Sequence, residues 1–189
     1  MKRVILTSLM VLALAVAGTA AAKSKRVTDP DYPRQLTTAA AVSVDWTDPS
    51  QFSDIRYSGK RSEAAMGNWV VDLATYLQKQ AGKKLANGQQ LHVTITDIRR
   101  AGMYEPGRGM NLDRVRIIKD IYPPRMTLNF SLTGADGQVI SEGERKLVDS
   151  AFLMGSGLVS DTDPLRNEKR LLDDWVNKEL GQKKGAGAA

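Results

Sequence analysis

Cysteine is absent from the 189 residues, and histidine occurs once, as His92. Without a thiol the chain has no disulfide, no thiolate nucleophile, no cysteine metal site and no cysteine to carry a lipid. A single histidine leaves zinc only carboxylates as further ligands. A Ser-His-Asp site would have to use His92, yet no serine sits in a nucleophile-elbow pattern. Aromatic residues are few, at 6%. Gly102, Gly107 and Gly109 do not follow a strand into a helix at phosphate-loop spacing. These absences predict no catalytic residue, no metal and no cofactor.

Long apolar runs are missing too, with one exception at the start. Met1-Lys2-Arg3 is basic, residues 4–18 are apolar apart from Thr7 and Ser8, and Ala20-Ala21-Ala22 offers a small-residue cleavage site. Residues 1–22 therefore read as a secretory signal peptide, too short in its apolar part to be a membrane span. A periplasmic or secreted protein is expected after cleavage near Ala22, with no later transmembrane segment. Lys2 and Arg3 account for two of the six net positive charges. Export argues against a nucleic-acid partner and favours an unknown envelope protein or an anionic envelope surface.

What is present is period-two alternation. Val42, Val44 and Trp46 share one face of a strand, as do Leu91, Val93 and Ile95 in a second, where His92 points outward. That register turns Asp97 inward, where a carboxylate needs a partner. Met126, Leu128, Phe130 and Leu132 alternate up to a turn at 135–137, and residues 139–148 return as a hairpin, with Gly143 marking a bulge or a close contact. Two helices complete the pattern. Residues 62–80 carry Met66, Trp69, Val70, Leu73 and Leu77 on one stripe, with Ser62 as N-cap and Gly82 as stop. Asp163 and Pro164 start a second helix that buries Leu165, Leu172, Trp175, Val176 and Leu180.

The predicted fold class is α+β: one antiparallel or mixed sheet of about four strands with two helices on one face, in β-α-β-β-β-α order. Residues 23–39, with Pro30 and Pro33, read as a flexible lead-in. Residues 40–180 read as a single domain, and 181–189 as a disordered tail.

The least generic stretch is 115–125, where charged and apolar residues mix before Pro123-Pro124 closes it. Around it Arg99, Arg100, Arg108, Arg114, Arg116, Lys119 and Arg125 crowd in sequence. Arg116, Lys119, Asp120, Tyr122 and Arg125 are the candidate binding residues. Asp97, Asp120 and Glu144 are the carboxylates a hydrolase of an envelope glycan or cell-wall polymer would use; Glu142 and Glu144 share a strand face, which most simply belongs to solvent.

Three separated motifs carry a resemblance. Val44-Asp45-Trp46-Thr47-Asp48-Pro49 with Phe52-Ser53-Asp54-Ile55-Arg56 is the first, and the whole of 115–125 is the second. Asp163-Pro164-Leu165-Arg166 running through Glu168-Lys169-Arg170 to Leu172-Asp173-Asp174-Trp175 is the third. Together they resemble a family of exported bacterial proteins catalogued only as a domain of unknown function, over about residues 40–178. The resemblance implies export and transfers no activity. The reading is a non-enzymatic binding or accessory protein of the cell envelope, with the carboxylate hydrolase as alternative.

Overall fold

Each alternating segment forms a strand, because a period-two pattern lets one face of a sheet meet a core while the other stays wet. The strands are β1 (Val42–Trp46), β2 (Gln90–Arg99), β3 (Arg125–Thr133) and β4 (Val139–Val148). They come from a computed structural model describing residues 25–39, 41–107, 109, 113–154 and 162–181. The signal segment, Arg108, residues 155–161 and the tail after Gly181 lie outside the described residues.

The sheet order is β1-β2-β3-β4. β1 runs parallel to β2, and β2-β3 and β3-β4 are antiparallel. The sheet is therefore mixed and the class α+β. Between β1 and β2 lie a 3-10 turn (Pro49–Gln51) and three α-helices: α1 (Ser53–Arg56), α2 (Arg61–Ala64) and α3 (Trp69–Gly82). After β4 comes α4 (Arg166–Leu180). Leu73 and Leu77 of α3 and Leu172 and Trp175 of α4 meet Val44, Val93, Leu128 and Phe130 of the sheet in one core. Trp175 stands edge-on to Phe130 at 5.7 Å. Burying each such large side chain contributes about 1.5–3 kcal/mol.

Several expectations need correction. The helix predicted over 62–80 is two helices, broken where Gly67 adopts φ 92°, outside the helical region. The break is satisfied from the N-terminal segment: the Gly67 N–H donates to Lys25 O, and Arg26 Nη1 donates to Ser62 Oγ. Ser62 lies inside α2 rather than capping it.

The lead-in expected to be flexible is docked. Val27 is fully buried and Tyr32 packs on Trp46, while the Tyr32 hydroxyl accepts from Val71 N–H and its burial pushes its pKa up to about 12. The Leu36 N–H donates to Val44 O and the Trp46 N–H to Arg34 O, so this segment lines the outer edge of β1.

In β2 a bulge between Ile95 and Asp97 shifts the phase by one residue. Ile98 thereby enters the core, and Asp97 aligns with Thr127 instead of pointing inward. In β4 the irregularity falls beside Ile140. Of the two readings of Gly143 the close contact is the one found: it faces Phe130 in register, and a Cβ there would lie 3.3 Å from Arg145 Nη1, whose guanidinium stands 4.7 Å over that ring.

α4 begins at Arg166, two residues beyond the predicted first position. Asp163 caps the preceding turn through Oδ1, which accepts from Leu165 N–H.

Candidate functional site

The most elaborate polar arrangement begins with α1, a four-residue helix too short to hold itself. It is fixed from both sides. Phe52 and Ile55 are buried, and the Asp97 carboxylate accepts from Ser53 N–H at 2.5 Å and Ser53 Oγ at 2.6 Å. An anion at a helix N-terminus satisfies its free N–H groups. Held between two core residues, Asp54 has to turn inward, and its side chain is 2% exposed.

A carboxylate so placed requires partners, and two arginines supply them. Arg100 donates to Asp54 from its backbone N–H, Nε and Nη2 at 2.8–3.0 Å. Arg116 donates from Nη1 and Nη2 at 3.0 and 2.8 Å, so the carboxylate accepts five hydrogen bonds. Each guanidinium is also stacked, Arg100 over Trp69 at 4.3 Å and Arg116 over Tyr104 at 4.9 Å. Arg100 Nη2 further donates to Ala64 O, and Arg116 Nη1 to Gly102 O. Burial pushes the Arg100 pKa down, whereas pairing with Asp54 holds that of Arg116 above its ordinary value despite burial.

The backbone is built around this pairing. Met103 and Ile117 exchange hydrogen bonds at 3.0 and 2.8 Å, bringing the end of β2 against residue 117. Gly102 (φ 78°) permits the approach, because a Cβ there would sit 2.7 Å from Ile117 O. One residue from Arg100, the Ala101 N–H donates to Glu168 Oε1 at 2.6 Å. Glu168 is 2% exposed, and its Oε2 has no hydrogen-bond partner among the described residues. Burial raises its pKa.

The five candidate binding residues do not share one cleft. Arg116 is turned inward onto Asp54. It borders a hollow of about 10 Å³ with Asp54, Tyr57 and Tyr104, the space of one water molecule. Lys119 pairs with Glu105 at 2.5 Å, and the Tyr122 hydroxyl donates to the same carboxylate at 3.0 Å. Asp120 and Arg125 are exposed. Asp120 Oδ1 accepts only the neighbouring Ile121 N–H among the contacts of the described residues, and Arg125 stands between Arg99 and Val148 in the sheet. Around these two, Ile118 and Ile121 are exposed, Ile121 by 65%. Because β3 starts where β4 ends, residues 149–154 leave the same end of the sheet, and the Asp149 N–H donates to Pro124 O. Met154 there is 88% exposed and Leu153 53%.

A family described as a protein of unknown function, DUF3016, matches residues 40–178. The chain belongs to that family. No curated protein matches it. The DUF3016 match encloses Asp54, Arg100, Arg116 and Glu168, whereas Val27 and Tyr32 lie before it.

In the DUF3016 domain another polar constellation lies on the outer face of the sheet. Ser43 Oγ lies 2.9 Å from His92 Nδ1, and His92 Nε2 lies 3.3 Å from Asp45 Oδ2. The residue types are those of a catalytic triad, but the ring nitrogens are exchanged, since a triad's serine meets Nε2 and its aspartate Nδ1, and the surroundings do not match either. The imidazole is half exposed, Thr94 Oγ1 competes for Nε2 at 3.3 Å, and the adjoining hollow of about 350 Å³ is an open, hydroxyl-lined shelf. The carboxylates considered for a hydrolase are dispersed: Asp97 is committed to Ser53, Asp120 lies at the loop and Glu144 on β4. Among the described residues no three His, Cys, Asp or Glu side chains group as metal ligands, and no helix is long and apolar enough to cross a membrane.

Sequence reasoning missed Asp54 and Glu168. Glu168 carried a readable signal: Leu165, Glu168, Leu172 and Trp175 follow steps of three, four and three, which puts an acid on the apolar stripe of α4. Asp54 carried a fainter one, a carboxylate between the apolar Phe52 and Ile55 of a four-residue helix.

Proposed function

We propose that this DUF3016 protein is a non-enzymatic accessory domain of the cell envelope. It docks an envelope protein or an anionic envelope surface through the end of the sheet formed by residues 118–125 and 148–154. The observation that carries this reading is the exposure of Ile118 and Ile121 before β3 and of Leu153 and Met154 after β4. These segments leave the same end of the sheet and are joined by the Asp149–Pro124 hydrogen bond, with Asp120 and Arg125 exposed there too. Isolated exposed apolar residues are ordinary, but several gathered with charges beside them mark interaction surfaces. The basic, cleavable-looking start of the chain supports export, and the net positive charge suits an anionic surface. Arg116, Lys119 and Tyr122 serve this surface indirectly, by holding the loop that presents it.

The test is site-specific photo-crosslinking in cells. A crosslinker at Ile121 is expected to trap a discrete envelope adduct that one at Asn129, on the outer face of the sheet, does not. Adducts equal at both positions, or none at Ile121, would remove this surface. The same cell fractions locate the protein, and recovery from the cytoplasm would remove the envelope setting.

A further inference from the structure

The two edges of the sheet are treated differently. The outer edge of β1 is covered by residues 34–39, whose backbone hydrogen-bonds to it. The outer edge of β4 pairs with no described residue. It is ten residues long, has no proline, and exposes Val139, Ile140 and Val148. Such an edge is a template for another strand unless something blunts it. Like charges along its whole length would do so, but the outward side chains of β4 are mixed in sign, Glu142 and Glu144 acidic and Lys146 basic. The irregularity beside Ile140 is confined to the hairpin end.

We propose that β4 pairs antiparallel with β4 of a second copy, making one continuous eight-stranded sheet across a two-fold axis at Glu144. A two-fold axis normal to the sheet pairs residues of equal parity, so only a few registers exist. Centred on Glu144, the pairing sets Ile140 against Val148 twice and Glu142 against Lys146 twice. Centring on Gly143 sets Glu142 against Glu144 twice, and centring on Arg145 opposes two arginines. The chosen register also opposes the two Glu144 side chains, each of which has Lys146 of its own strand at 3.2 Å. Because the strands run antiparallel, the ends carrying Ile121 lie at opposite ends of the dimer, so each pair of chains presents two docking ends.

The lack of cysteine gives a clean test on the full exported protein. Glu144 opposes its own copy at a separation a disulfide spans. Under mild oxidation Glu144→Cys is expected to form a disulfide dimer and Asn129→Cys, a strand away, is not. By sedimentation, Glu142→Lys is expected to raise the dissociation constant by about tenfold, as two attractive cross-strand pairs turn repulsive, and Glu142→Lys with Lys146→Glu to restore it. A protein monomeric at its highest soluble concentration, equal crosslinking at positions 144 and 129, or a charge swap that fails to rescue would each overturn the pairing. So would slow exchange, in a monomer, of those β4 amides that point away from β3, which would show that the chain covers its own edge.

Discussion

The charges at the candidate site fall into two groups that look alike in sequence and behave oppositely in space. Arg100 and Arg116 are turned inward, and Asp54 holds both through five hydrogen bonds at 2.8–3.0 Å. Asp120 and Arg125, a few residues on, stand in solvent beside Ile121. The difference comes from a partner far away in the chain. An arginine is drawn inward only where a desolvated carboxylate waits for it, and α1 delivers one carboxylate to one place. A run of basic residues is therefore a mixed population, and its members need separate tests.

The largest effect is expected on the inward side. Asp54→Ala leaves two guanidiniums desolvated without a counter-charge and is expected to cost about 3–5 kcal/mol or prevent folding, measured by urea unfolding. Asp54→Asn, which keeps the shape and loses the charge, is expected to fall short of wild type by less. If both variants unfold like wild type, the cluster is not what pins this end of the sheet. Asp97→Ala follows. It frees the start of α1 and is expected to cost about 1–2 kcal/mol by the same assay.

Glu168 sharpens the comparison through pH. Burial raises its folded-state pKa above the unfolded value. Between those two values the folded state binds more protons than the unfolded one, so stability falls as pH rises through that window. Glu168→Gln keeps an acceptor for Ala101 N–H and has no proton to lose. The variant is expected to be as stable as wild type in acid and more stable above the window, flattening the wild-type decline in a series of thermal melts. An unchanged decline would mean that another group causes it.

On the outward side the effect on stability is expected to be the smallest. Ile121→Ser is expected to stay within about 0.5 kcal/mol of wild type, while reducing crosslinking from a probe placed at Met154. A stability loss comparable to that of Asp97→Ala would mean that Ile121 packs inward.

The strands were legible because a half-buried strand writes its orientation into every second residue. Val42 to Trp46, Leu91 to Ile95 and Met126 to Leu132 all keep the faces their alternation predicts. The bulge after Ile95 was not legible: Thr96 fits the alternation in sequence, and the change of phase shows in the burial of Ile98 and in the register with β3. Gly67 was visible, but whether a glycine ends a helix or merely weakens it depends on what waits to take the free backbone groups. Here it is Lys25, more than forty residues earlier. Val27 and Tyr32 are single apolar residues without a period, so nothing local marks them as docked. The Asp54 pairings span 46 and 62 residues and leave no local pattern either. Arg116 stood out in sequence as one of a basic cluster suited to an outside partner, and nothing local marks it as turned inward onto a carboxylate of its own chain.

Side-by-side urea unfolding of Arg116→Ala and Arg125→Ala tests the division between the two groups most directly. The expected result is a loss of about 2–3 kcal/mol for Arg116→Ala, which leaves Asp54 with Arg100 alone, and less than about 0.5 kcal/mol for Arg125→Ala. Equal losses, or the larger one at Arg125, would contradict it.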